Sequence, residues 1–310
     1  MKATRDAFGD QILESSVKNS KIVVLSADLS KATRTDKFAK RFPDRFVEVG
    51  IAECNMIGIA SGMSEHGFRP FLSSFASFLT GKYDVIRVSA AYSESPIVLV
   101  GTHSGMAIGK DGVTQMGLED VSLMRSLPGM TVMQPATYIE CREAVKYLCE
   151  TDTLSGPVYL RLGRQPVKEV FNESYVFDPV GISTVSEGSD IVILSTGCIL
   201  PDVLASKTIL LKEGINPKIV NIHTIKPLPE KHILECVKNA SVVITVEDHS
   251  IIGGLGSAIS ELLSEISPKR VLRIGLSDIF PESAPPEDLY RKYGLDAPSI
   301  AKRILDYVDK

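Results

Sequence analysis

Short runs of Val, Ile and Leu recur along this chain, each followed by a longer helical pattern, and that alternation restricts the fold more than any other feature. KIVVLSAD (21–28), RFVEVG (45–50), PIVLVGTH (96–103), MTVMQP (130–135) and PVYLRL (157–162) read as buried strands, with helical stretches at 51–66, 76–93 and 137–150 between them. Strands apolar on both faces and joined through helices form parallel sheets covered by helices on each side. The pattern lapses over KEVFNESYVFDPVG (168–181) and restarts with DIVILSTG (190–197), PKIVNIHTI (217–225), SVVITVEDH (241–249) and KRVLRIGL (269–276). The expected architecture is α/β with two doubly wound domains: a first at 1–167, a linker at 168–181 and a smaller second domain at 182–310. A length of 310 residues suits two cores, at roughly 150 residues per domain.

Composition narrows the partners. Lys and Arg are mixed evenly with Asp and Glu, and the net charge is −4. Nucleic acid and anionic membranes want clustered positive charge, so neither is expected to bind. The start, MKATRDAFGDQI, has no apolar signal region, and no stretch approaches a membrane span of ~20 apolar residues, so a cytoplasmic setting is expected. Cysteines stand at 54, 141, 149, 198 and 236. An odd count without a CxxC spacing indicates neither a disulfide framework nor a zinc site. Cys141 and Cys149 read as small core residues on one helix face.

Several motifs can be weighed on their chemistry. GMAIGKD (105–111) mimics a phosphate loop, but its glycine spacing is one short and Asp111 stands where the Mg²⁺-binding hydroxyl belongs. GGLGSA (253–258) lacks the third glycine of a dinucleotide fingerprint and reads as a tight strand-to-helix turn. No HExxH occurs and the five histidines are scattered, so this chain is not expected to hold a catalytic metal by itself. In VEVGIAECNMIGIASGM (47–63), Glu53 falls just after a strand in the first turn of an apolar helix, where the helix dipole alone would favour a carboxylate. PFLSSFASF (70–78) sets Phe75 and Phe78 three apart, so one helical face near Glu53 would present two rings; simple core aromatics are the alternative. GTHSGMAIGKDGVTQMGLED (101–120) places His103, Lys110, Asp111 and Gln115 in a glycine-rich loop at the carboxyl end of a strand, where open α/β sheets bind ligands. Such a loop suits sugar hydroxyls as well as plain solvent. YLRLGRQP (159–166) puts Arg161 and Arg164 after another strand, for phosphate contacts or for surface ion pairs.

Taken in order, GIAECNM, PFLSSFASF, GTHSGMAIGKDGVTQMGLED and RLGRQP resemble the pyrimidine-binding domain of transketolases. DIVILSTG through VEDHSIIGGLGSAI resembles the transketolase C-terminal domain, so the resemblance spans essentially the whole chain. It implies thiamine diphosphate and Mg²⁺ as cofactors, and transfer of a two-carbon ketol group from a ketose phosphate to an aldose phosphate. By position it makes Glu53 the glutamate that hydrogen-bonds the aminopyrimidine N1′, and Phe75 and Phe78 the aromatics of the pyrimidine pocket. It places His103 near the substrate phosphate, Asp111 on a donor hydroxyl and Gln115 near substrate C1. Arg164 becomes a phosphate-binding arginine, and Arg5, in ATRDAF, a second one. The serine that often accompanies them is Ala32 here, or is displaced to Ser30 or Thr33. A tyrosine expected after Phe78 is Gly81.

Full-length transketolases begin with a diphosphate-binding domain carrying a GDG motif, which this sequence lacks. The resemblance therefore implies a split enzyme, in which a separate N-terminal-type subunit supplies that domain and the Mg²⁺ ligands, in an expected α₂β₂ assembly. A 1-deoxyxylulose-5-phosphate synthase-like enzyme, the β subunit of a 2-oxo-acid dehydrogenase and a non-catalytic orphan subunit are the other readings. His103, Asp111 and Arg164 together favour a sugar phosphate over a lipoyl carrier.

Overall fold

The structure, a computed structural model, describes residues 1–151 and 154–308. Twelve strands are formed among these: β1 (Ile22–Ser26), β2 (Phe46–Glu48), β3 (Arg69–Phe75), β4 (Val98–Thr102), β5 (Thr131–Met133), β6 (Val158–Arg161), β7 (Ser183–Ser186), β8 (Ile191–Thr196), β9 (Pro217–Asn221), β10 (Thr224–Lys226), β11 (Val242–Ser250) and β12 (Arg270–Leu276). They build two sheets, in the orders β10-β5-β6-β4-β3-β1-β2 and β12-β11-β8-β9-β7. All pairings are parallel except β10 with β5 and β7 with β9.

Continuous apolar strands divide their side chains between two helix layers by the period of two. In the first sheet Val23, Leu25, Leu72 and Leu99 face Met56 and Ile57 of helix Glu53–Glu65 and Ile86 of the following helix. Ile22, Val24, Phe71, Val98 and Val100 face the other way, onto Phe8 and Ile12 of helix Thr4–Lys18 and Val145 and Leu148 of helix Tyr138–Glu150. Cys141 and Cys149 are buried in that same layer. The second sheet repeats the scheme: Ile191 and Ile193 point to helices Leu200–Lys212 and Ala297–Val308, while Val192 and Leu194 point to Glu230–Val237 and Leu255–Ile266. The chain is thus α/β, doubly wound in both halves. No helix among the described residues is long and apolar enough to cross a membrane.

Two elements differ from the sequence expectation. Residues 69–75 form a central strand, β3, so PFLSSFASF is not one helix: Phe75 ends the strand, and Phe78 lies in the short helix Ala76–Thr80. PKIVNIHTI is not one strand either. It breaks at 222–223, and β10 leaves the second sheet to pair with β5 of the first.

Polar groups buried between the two halves fix their relation. Arg161, at the end of β6, donates from Nε to Asp120 Oδ2 at 2.7 Å and from Nη2 to the carbonyls of Gly117 (2.9 Å) and Asp248 (3.0 Å). Tyr159 Oη donates to the same Asp120 oxygen at 2.7 Å. This approach requires Gly101, since a Cβ there would stand 2.2 Å from the Tyr159 hydroxyl. Burial pushes the Asp120 carboxyl up, and the charges of Arg161 and His249 outweigh it and hold the group below its usual range. Arg161 is therefore an internal strut, and neither the phosphate ligand nor the surface ion pair that its spacing allowed. A second junction joins Glu140 of the first half to Asn221 Nδ2 and the Tyr175 hydroxyl, both donating to Oε1 at 2.8 Å. Tyr175 belongs to the irregular stretch 168–181, which this contact ties down.

Removing one member of a fully buried ion pair strands the other, at a cost of about 3–5 kcal/mol. Arg161→Met should lower stability by that order, read as a shift of the urea midpoint; a midpoint equal to wild type would contradict the assignment.

Candidate active site

A parallel sheet delivers the carboxyl ends of its strands to one edge, and the candidate residues follow those ends. Glu53 lies beyond β2, Phe75 closes β3, His103 follows β4 and Arg164 follows β6. Arg5 comes to the same edge from the first turn of helix Thr4–Lys18.

Glu53 is 6% exposed, in the first turn of its helix, where the backbone dipole favours a carboxylate. Ser74 Oγ donates to Glu53 Oε1 at 2.9 Å, and Oε2 has no protein partner among the described residues. One residue on, the Phe75 ring stacks on Phe78 with centroids 5.2 Å apart and on the His103 imidazole at 3.8 Å. The two rings thus come together as expected, through a strand end and a short helix. Gly81 caps that helix and adds no third ring.

The His103 ring is fixed by its neighbours. Thr102 Oγ1 donates its one hydrogen to the Ser74 carbonyl (3.2 Å), so at 2.9 Å from His103 Nδ1 it must accept. Nδ1 carries the proton, and Nε2 accepts from Arg5 Nη1 at 3.1 Å. Burial, followed by the positive charges of Arg5, Arg164 and Arg34, holds the imidazole down to about 3, so it is neutral at physiological pH. His103 also has φ of +58°, a backbone conformation that a non-glycine residue keeps only where its surroundings impose it.

The same charges mark an anion-seeking surface. Arg5 is pushed down to about 10, first by burial and then by Arg34. Its Nη1 also donates to the Ala32 carbonyl at 3.0 Å, while its Nε is buried without a partner. Arg164 Nη1 donates to Asp111 Oδ2 (3.0 Å) and to the Ile108 carbonyl (2.7 Å), which joins Arg164 and Asp111 directly. Gln115 ends the short turn Val113–Gln115 on the same loop, and Lys110 is exposed. Thr33 points inward, donating to the Leu29 carbonyl at 3.0 Å and accepting from Ser73 at 3.1 Å, so its hydroxyl is not offered to a ligand. Ser30 is half-buried on the same segment. No group of three His, Cys, Asp or Glu residues among the described residues can hold a metal ion.

Residues 1–169 match the transketolase pyrimidine-binding domain, and residues 181–300 match the transketolase C-terminal domain. This chain belongs to the transketolase family. A 6-deoxy-6-sulfo-D-fructose transketolase subunit of Clostridium sp. is 38% identical over 96% of this chain and 92% of its own length. Human transketolase is 34% identical over 99% of this chain but only 49% of its own. Among solved structures, a split gene transketolase described as an inactive β4 tetramer superposes with a TM-score of 0.91 at 40% identity, covering 99% of this chain and 98% of the other.

Ser74 and Thr102 were not singled out from the sequence, although small hydroxyl residues in the last two positions of β3 and β4 are the available signal. Arg5, the partner of His103, was legible only through the family. His103 held neutral by burial and three guanidinium groups should show no NMR titration of its ring between pH 8 and 5; a midpoint above about 6, near the free value, would contradict the assignment.

Proposed function

We propose that this chain is the pyrimidine-binding subunit of a two-chain transketolase, which carries a ketol group between sugar phosphates once a diphosphate-binding subunit is present. The observation that carries the reading is the Glu53 carboxylate: it is buried, held at Oε1 by Ser74 and uncommitted at Oε2, and Ser74 directly precedes Phe75 of the Phe75–Phe78 stack. A buried carboxylate with one free oxygen next to aromatic faces fits a flat heteroaromatic ring with a basic nitrogen in its plane, and the aminopyrimidine of thiamine diphosphate is such a ring.

When bound, the cofactor supplies the nucleophilic carbon that takes up the two-carbon fragment. Glu53 holds the ring nitrogen through Oε2 and moves a proton at that atom, while Phe75 and Phe78 fix the ring plane. His103, neutral and protonated at Nδ1, keeps Arg5 in place with its Nε2 lone pair. Arg5 and Arg164 bind the substrate phosphate as charge-assisted donors. Asp111, oriented by Arg164, receives a substrate hydroxyl, with Gln115 beside it. Diphosphate and Mg²⁺ belong, on this reading, to the partner chain. A closed α₂β₂ assembly would complete two such sites.

Two outcomes are expected on mixing this chain with a diphosphate-binding subunit, thiamine diphosphate, Mg²⁺, xylulose 5-phosphate and ribose 5-phosphate. Glu53→Gln should lower the transfer rate by about 10²–10⁴-fold, the range for a lost proton-transfer group. Arg164→Ala should act mainly on KM for the sugar phosphate, by roughly tenfold or more, as loss of a hydrogen bond to a charged group of about 1.5–3 kcal/mol would. An unaltered rate in the Glu53 variant would sink the reading; transfer by this chain alone would sink its two-chain form.

A further inference from the structure

The three arginines that hold His103 neutral differ in what they are tied to. Arg164 is engaged by Asp111 and the Ile108 carbonyl, and Arg5 by the Ala32 carbonyl and His103 Nε2. Arg34, on the segment that follows β1, is held by one atom. Its Nε donates to Asp6 Oδ1 at 2.7 Å, while Nη1 and Nη2 have no partner among the described residues. The side chain is 45% exposed, so those N–H groups are open to a ligand.

The setting of Arg34 is built by crossed contacts. Arg5 Nη1 reaches the Ala32 carbonyl at 3.0 Å, and Arg34 Nε reaches back to Asp6, the residue after Arg5. Asp6 is itself fixed, because its Oδ2 accepts from Ala3 N at 3.0 Å at the head of helix Thr4–Lys18. The same helix presses on the backbone of Arg34 through Gly9: a Cβ there would stand 2.5 Å from the Arg34 carbonyl oxygen. Arg34 has φ of +67°. A non-glycine residue keeps that conformation where its surroundings impose it, and such positions gather at binding sites. After burial, the charge of Arg34 is the largest that bears on Arg5, ahead of Asp6 and Arg164, and it bears on His103 as well. Asp6 answers Arg34 and Asp111 answers Arg164, which leaves the cluster with a surplus positive charge. Side-chain hydroxyls add little on this segment, since residue 32 is alanine and Thr33 turns inward. On its outer side Arg34 borders a recess with Lys2, Lys37, Asp10 and Asp36, where Asp10 already accepts from both lysines. Charges balance there, so an anion is drawn to the inner side, towards Arg5.

We propose that Arg34 is a third substrate-binding arginine, whose Nη groups contact the distal phosphate of the sugar alongside Arg5 and Arg164 and set the preference for phosphorylated over neutral substrates. The inference rests on the two-chain transketolase reading for the identity of the ligand, and on the geometry of this chain alone for the anion site. Guanidinium donors suit phosphate oxygens because several N–H groups meet them in one plane.

The first test is NMR titration of the full chain with inorganic phosphate at constant ionic strength, read at the arginine Nε–H signals. Arg34→Met and Arg34→Gly should each weaken binding about tenfold or more, as loss of a hydrogen bond to a charged group would. Arg270→Met, which removes an exposed arginine stacked on Tyr307 in the second half, should bind as wild type. Glycine adopts a positive φ freely, so Arg34→Gly should melt no lower than Arg34→Met while binding equally poorly. With the partner subunit and cofactors present, Arg34→Met should raise KM for ribose 5-phosphate by a similar factor and leave kcat within about twofold. KM for glycolaldehyde, an uncharged acceptor, should not change. No phosphate binding by the wild-type chain, unaltered affinity in both Arg34 variants, an equal loss in Arg270→Met, or an equal rise in KM for glycolaldehyde would each overturn the proposal. If the wild-type mixture transfers nothing, the two-chain reading fails by itself, and the phosphate titration still decides the role of Arg34.

Discussion

The Arg161–Asp120 ion pair is the joint on which the rest of the molecule depends. A charge pair removed from water is tolerated when further hydrogen bonds support it, and Arg161 finds acceptors in both halves of the chain, while Asp120 Oδ1 is buried without a hydrogen-bond partner. Arg161 reaches the Gly117 carbonyl in the first half and the Asp248 carbonyl in the second. Asp248 in turn holds the backbone of Met106, at the head of the loop that carries Asp111. Position therefore passes from a strand end in one sheet, through a strand of the other, to a loop of the first. This connection gives the second half a physical role: it shapes the wall against which the loop carrying Asp111 is set.

The candidate site follows a similar logic at shorter range. Four parallel strand ends bring Glu53, Phe75, His103 and Arg164 to one edge, and the small hydroxyl residues between them set the details. Ser74 is shared, its side chain holding Glu53 and its carbonyl holding Thr102, whose hydroxyl then decides which nitrogen of His103 bears the proton. Burial, and after it the charges of three arginines, keeps that histidine neutral. A phosphate would find charge complementarity at Arg5 and Arg164, and an aromatic base would find the Phe75–Phe78 stack and a free carboxylate oxygen.

Much of this was legible in the sequence because strands buried on both faces are written as unbroken apolar runs. IVVLS, VLVGT and IVILST are such runs, and each became a central strand. RPFLSSF escaped because its two serines and the phenylalanines at 71, 75 and 78 imitate a helical period, while tertiary pairing between β1 and β4 made it a strand. The crossing of β10 into the first sheet leaves no local trace, since three residues pair with a partner some ninety positions away. Glu53 stood out by its place after a strand, but its meaning came from the family motif. Arg161 looked like Arg164 in RLGR, and only the register of β6 turns one inward and leaves the other at the edge.

The central claim is that this chain holds the aminopyrimidine half of a thiamine diphosphate site and needs another polypeptide to close it. Calorimetric titration of thiamine diphosphate in the presence of Mg²⁺ tests this most directly, made on the chain alone, on a diphosphate-binding subunit alone and on their mixture. The account predicts strong binding only in the mixture, and its loss when the mixture contains Glu53→Gln. Equally strong binding by either chain alone, or by the mixture with the substituted chain, would contradict it.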